Sequence, residues 1–253
     1  MESAGRGPKL AYISARIVLP QLLAAFFACN LASSAQQGAS NPSPVNPDDE
    51  GVFIISSAGR PIGSETFKIH SWLGRIEARG EIRLNFQQNG KAVSIQSFPD
   101  LVLDSQLRPV TYTWRLRGPQ SSRLEVDFRT TPAKVRYHTI NGNEDDRDFA
   151  LSPDVVVLDD NVIHHFQLIV DRLQAMGGGK QTLRVFVPQE ALPSLMTVED
   201  LGIAATPDGS AASGLRHLLV TTDVTHVDLW VDDNLHVQRV SVPAAQLEAL
   251  RKK

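Results

Sequence analysis

The chain has 253 residues, 42 % of them hydrophobic and 21 % charged, with a formal net charge of −3. That apolar content suffices for a real core and excludes global disorder. Cys29 is the one cysteine, so intrachain disulfides cannot staple the fold.

Arg6, Lys9 and Arg16 form a basic leader, followed by the apolar run "IVLPQLLAAFFACNLA" and the small-residue site "SSAQ". That layout predicts a secretory signal peptide over residues 1–35, cleaved after Ala35. A retained membrane anchor is the competing reading, but Pro20, Gln21 and Asn30 interrupt the run, and a span needs about 20 apolar residues. "FFAC" resembles a lipobox with Phe26 where Leu is preferred, so lipidation at Cys29 is a lesser alternative. Removing three bases and one acid from 25 and 28 leaves 22 and 27. That acidic balance argues against nucleic acid or an anionic membrane surface as an electrostatic partner. The expected location is extracytoplasmic, periplasmic or secreted, with no transmembrane segment left after processing. Residues 36–50, "QQGASNPSPVNPDDE", read as a disordered tether, and a single β-rich domain is expected over 51–253.

From Gly51 the dominant period is two. Ile76, Ala78, Gly80, Ile82, Leu84 and Phe86 alternate with Arg75, Glu77, Arg79, Glu81, Arg83 and Asn85. The pattern returns around Leu124, Val126 and Phe128, around Leu183, Val185 and Val187, and around Val227, Leu229 and Val231. Turn signals such as "SAGRPIG", "QQNGK", "DSQLRP" and "VDDNL" separate the runs. One-sided alternation with short turns predicts about a dozen antiparallel strands with one dry face. "NVIHHFQLIVDRLQAM" breaks the pattern: Val162, Phe166, Ile169, Val170 and Leu173 form a helical stripe. Asp159 or Asp160 is expected to cap this helix and "GGG" at 177–179 to end it. A short second helix is expected at "PAAQLEALRKK". The fold class is therefore mainly β: a curved antiparallel half-barrel wrapped around one amphipathic helix.

Asp159, Asp160, His164 and His165 crowd into seven residues, a density that suggests metal or acid–base chemistry. Adjacent histidines on a helix point about 100° apart and cannot face one ion, and zinc motifs use i and i+4. The cluster is best explained as a helix start. In "THVDLWVDDNLHVQRV", a tip at Asp232-Asp233-Asn234 would set Val231 against Leu235, Leu229 against Val237, and His236 against an exposed Trp230. His226 and His236 would then be too far apart to share a metal, while His217 could approach one of them. "GGGKQT" lacks the phosphate-loop spacing, and no G-x-S-x-G elbow is present. No catalytic residue, cofactor or metal ligand is assigned.

"GSETFKI" after a glycine-containing turn and the late "VDLWVDDNLHVQRVSVP" resemble exported bacterial proteins of the lipoprotein-carrier type and related periplasmic families. The resemblance spans roughly residues 51–243. It implies a curved sheet half-wrapping a helical plug, a concave apolar pocket able to shelter acyl chains, and no catalytic residues. A lipid or other hydrophobic ligand is therefore expected between sheet and helix, contacting Phe166, Ile169 and Leu173. The alternatives are a metal-dependent hydrolase using His164, His217, His226 or His236 with nearby Asp residues, and a structural or interaction module of the cell envelope with an exposed apolar patch.

Overall fold

The alternating segments join into one continuous sheet in a computed structural model that describes residues 48–252, apart from 89, 119–120, 139–141, 205–213, 224 and the side chain of residue 88. In chain order the strands are β1 (Asp49–Ser57), β2 (Arg60–Trp72), β3 (Arg75–Gln88), β4 (Lys91–Asp104), β5 (Pro109–Arg117), β6 (Ser122–Asp127), β7 (Ala133–His138), β8 (Glu144–Phe149) and β9 (Val156–Val157). Helix α1 (His165–Ala175) follows, then β10 (Lys180–Val187), β11 (Leu192–Ile203), β12 (Arg216–Thr221), β13 (His226–Val231), β14 (Val237–Val242) and β15 (Leu247–Arg251). Their spatial order is β8-β7-β6-β5-β4-β3-β2-β1-β15-β14-β13-β12-β11-β10-β9. Every ladder is antiparallel except β9 on β10. The one-sided alternation seen in the sequence is this fold: in β3, Ile76, Ala78, Ile82 and Leu84 are buried while their charged neighbours face outward.

So long a twisted sheet curls. Its two ends meet where Phe186 of β10 packs on Phe149 (centroids 5.0 Å apart) and on Phe128 (6.4 Å). Tyr137 of β7 donates its hydroxyl proton to the Pro188 carbonyl beyond β10 at 3.0 Å. The rolled sheet has two distinct ends. One carries the start of β1, the end of β15, the β2–β3, β4–β5 and β13–β14 turns and the C-terminus of α1. The other carries the β1–β2 and β14–β15 turns and the start of the helix. All described residues belong to one compact unit.

Strand β1 begins at Asp49, two residues before the expected Gly51. Asp49 pairs with Ile69 across β1–β2, and its carboxylate accepts a bidentate pair of bonds from Arg251 at 2.5 and 3.0 Å. An acidic dipeptide that looked like tether is held by a strand-end ion pair. The expected signal peptide and the rest of the expected tether, residues 1–47, lie outside the described residues.

The C-terminal helix is a correction. Pro243–Ala245 form a single 3-10 turn, Gln246 takes a left-handed conformation (φ 50°), and β15 follows. Leu247 and Ala249 face the core between β1 and β14, so the alternation of "LEALR" outweighs its helix propensity. The β13–β14 register also differs from the expected one: Val231 faces Val237, Trp230 faces Arg239 and Leu229 faces Val240. Asp232 causes the difference by accepting the backbone N–H groups of both Asn234 and His236, which lengthens the turn, and a bulge at Trp230/Val231 absorbs the remainder.

Helix α1 lies inside the curl with seven successive residues, His165 to Asp171, and Leu173 buried. At its end the N–H of Gly178 bonds the Leu173 carbonyl at 2.9 Å, and Gly177, Gly178 and Gly179 all have positive φ. That is the glycine stop expected of "GGG".

Candidate functional site

The helix start is the densest cluster of titratable side chains in the interior, and it is built around a residue that the sequence did not single out. Glu65 points inward from β2, in step with Phe67 and Ile69, and is fully buried. Its carboxylate accepts the backbone N–H of Ile163 at 2.7 Å, the N–H of His164 at 2.9 Å and the His164 Nδ1 proton at 2.5 Å. The expected cap by Asp159 or Asp160 is thus wrong: the N-cap residue is His164, and it makes no side-chain cap bond. A carboxylate from a distant strand does this job, accepting the free donors at the positive end of the helix dipole. The His164 ring stacks on Phe67 (centroids 5.8 Å, planes 3° apart), and a β-carbon on Gly80 would lie 2.8 Å from its Cε1. Glycine at 80 is the seat for that imidazole.

Asp159 serves a second clasp. Its carboxylate accepts the Tyr112 hydroxyl proton from β5 at 2.5 Å and the Gln189 N–H at 3.0 Å. Burial pushes the Asp159 carboxyl up to about 6 against the opposing help of Tyr112. Burial, with the nearby Asp159 charge, likewise holds the Tyr112 phenol well above its ordinary range. The backbone N–H of Asp159 donates to His165 Nδ1 at 3.1 Å. That nitrogen must carry a lone pair, so a neutral His165 keeps its proton on Nε2. Burial, reinforced by His164, drives the His165 pKa well below the usual imidazole range. The helix start is therefore bound to β2, β5 and the turn before β11.

Glu65–His164 and Tyr112–Asp159 have the geometry of an acid–base orienting pair. Chemistry requires that such a group reach a substrate, and Glu65, Tyr112, Asp159, His164 and His165 are each at most 3 % exposed. The cluster can hold protons but meets nothing to exchange them with. Among the described residues, no group of three or more His, Cys, Asp or Glu is placed to hold a metal ion.

Further along α1, Gln167 donates to Asp171 and to the Leu235 carbonyl, each at 3.0 Å, and accepts the Val237 N–H at 2.8 Å. This amide fastens the helix to the β13–β14 hairpin. Asp171 is only 8 % exposed, and burial pushes its carboxyl up to about 7, with Asp49 adding repulsion. Phe166, Ile169 and Leu173, the expected ligand contacts, are core residues at 7 %, 0 % and 0 % exposure. Where Leu168 and Arg172 meet Leu101, Leu103, Leu107, Val156 and Val157, a cavity of about 10 Å³ remains. That is barely room for one water, whereas a benzene-sized guest needs roughly 150 Å³. At this face, the gap expected between helix and sheet is closed.

His217 and His226 are on the outer face. His217 bonds Asp228 at 2.8 Å and stacks on Trp230 (centroids 5.0 Å), and Arg239 covers the indole from 5.0 Å. Trp230 is thereby 3 % exposed, contrary to the exposed Trp expected. His226 stands 4.0 Å from the same carboxylate. His217 does approach His226 through Asp228, but His236 belongs to the β13–β14 turn at the opposite end of β13. An open groove of about 630 Å³ also crosses the outer face of β1–β3, walled by Glu50, Lys68, Arg79 and Glu81. Two acids and two bases leave it no net charge with which to select an ion.

No protein-family model matches the chain, and no curated protein matches it. Among solved structures, the chain is similar to a beta-barrel-like protein of the domain of unknown function DUF1849 from Brucella abortus. The identity is 9 % and the TM-score 0.52, over 81 % of this chain and 95 % of that one. A DUF1089 family protein from Pseudomonas aeruginosa aligns over 83 % of this chain and 95 % of its own at 13 % identity, with a TM-score of 0.43. The Brucella structure supports the fold: mainly β, with one largely antiparallel sheet of 15 strands and a single α-helix among the described residues.

Proposed function

We propose that the protein is a non-enzymatic, extracytoplasmic interaction module. Its helix is a structural plug, and its contacts with partners run over the outer surface. One observation carries this reading: the helix start, where the chemically capable residues gather, is sealed, with each of its five titratable side chains at most 3 % exposed. The filled space beneath Leu168 and Arg172 points the same way, away from an acyl-chain carrier and toward a surface-acting protein. The signal layout of residues 1–35 supports the location. Native mass spectrometry after detergent-free purification, with titration of a fluorescent naphthylamine probe, tests it. The expected result is protein mass alone and no saturable probe binding. A stoichiometric co-purifying lipid, or one-to-one probe uptake, would overturn it.

A further inference from the structure

We propose that the β2–β3 hairpin tip, Trp72-Leu73-Gly74-Arg75, dips into the interface of a lipid bilayer and seats the protein there. The proposal rests on the surface-module reading and names the surface involved.

Trp72 pairs with Arg75, leaving a two-residue turn in which Leu73 has φ 47° and Gly74 φ 73°. Such a turn favours Asn-Gly or Asp-Gly, because both central residues need a left-handed backbone. Leucine there is strained, and it projects 81 % exposed beside Trp72 at 66 %. The same end of the sheet provides its own controls. Leu107 and Leu235 also occupy turns with positive φ, 60° and 65°. Leu107 is 5 % exposed in the core, and Leu235 packs against it. In those two turns the strain is offset by burial. In water Leu73 gains nothing for it, and an apolar medium would supply the missing burial.

The rest of this end suits such a seat. Ile203 (76 % exposed) and Met176 (41 %) lie at the end of β11 and just past α1, both at the same end of the roll. Tryptophan prefers the bilayer interface, with its ring in the apolar boundary and its N–H toward water. Arg75, exposed at the base of the tip, is placed for a headgroup phosphate. The pairing of Trp72 with Arg75 favours a bilayer interface over a second copy, since an indole and a guanidinium side by side match the apolar boundary and the phosphate layer above it. Because the chain is acidic, attraction is hydrophobic and largely insensitive to salt.

The test uses the chain from Gln36 onward, the expected product of cleavage after Ala35, with zwitterionic phosphatidylcholine vesicles whose acyl chains carry bromine. Trp72 should lose emission to the bromines, and Trp72→Phe should remove that quenched share while retaining binding. Leu73→Asn, which suits the turn and so keeps the fold, should weaken vesicle affinity about tenfold or more, equally at low and high salt. Unchanged affinity in Leu73→Asn, or the same quenching in Trp72→Phe, overturns the proposal. So does a concentration-dependent dimer, seen by sedimentation without vesicles and lost in Leu73→Asn, which would assign the tip to a second copy. Probe uptake into the interior would overturn the surface-module reading instead, so the two failures are distinguishable.

Discussion

Replacing Glu65 with alanine removes the acceptor for three donors: the N–H groups of Ile163 and His164 and the His164 imidazole. All three stay buried, because Glu65 and His164 are fully inaccessible and Phe67 and Gly80 enclose the ring. Hydrogen bonds to a charged group each contribute about 1.5–3 kcal/mol, and they are not additive. Leaving a buried donor without its acceptor costs about 1–3 kcal/mol, and with three donors stranded we expect Glu65→Ala to cost about 3–5 kcal/mol in all. For a folded part of this size, that lowers Tm by roughly 6–20 °C. Glu65→Gln should lose less, since its amide oxygen still accepts one donor. Urea unfolding followed by far-ultraviolet circular dichroism gives both values, provided the m-value is unchanged. A loss below about 1 kcal/mol for Glu65→Ala would refute the clasp and imply that other groups satisfy the helix start.

Gly80→Ala would place a β-carbon 2.8 Å from His164 Cε1 and should cost about 1–3 kcal/mol in urea unfolding. Gly63→Ala, with its β-carbon 1.9 Å from the Arg83 carbonyl oxygen, should cost more, since backbone rather than a side chain must move. Asp171, pushed up to about 7 from 3.8, contributes stability that is fully present below pH 4 and lost as pH rises through 7. Asp171→Asn should therefore match wild type only below about pH 4, and its advantage should grow by roughly 2–3 kcal/mol between pH 5 and pH 8; an advantage that does not change with pH would contradict the burial argument. Leu73→Asn should raise stability by about 1 kcal/mol, read as a small rise in Tm, because asparagine tolerates the left-handed turn.

The strands were legible because alternation is local, and a half-buried antiparallel sheet needs little else. The helix and its glycine stop were legible for the same reason, since the stripe from Val162 to Leu173 and "GGG" lie within one short segment. What failed was long-range. Glu65 lies 99 residues before His164, and its one signal was an acid on the inward parity of β2, in step with Phe67 and Ile69. That parity mismatch could have identified it. Asp159 and Asp160 looked like caps because capping is usually local, but Asp159 instead meets Tyr112 and Gln189. The β2–β3 turn went unseen because leucine is not a turn residue. The β13–β14 register slipped because Asp232 gathers backbone donors beyond the expected tip. Trp230 looked exposed by alternation, and nothing along β13 reveals that His217 and Arg239 cover its two faces.

Amide hydrogen exchange along Phe166–Leu173 tests most directly whether the helix is a fixed plug. If α1 is a permanent part of the core, these amides exchange only when the whole molecule unfolds, with an opening free energy equal to that from urea. Exchange well below that limit, with the sheet still protected, would mean that the helix swings out and that the interior receives a guest after all.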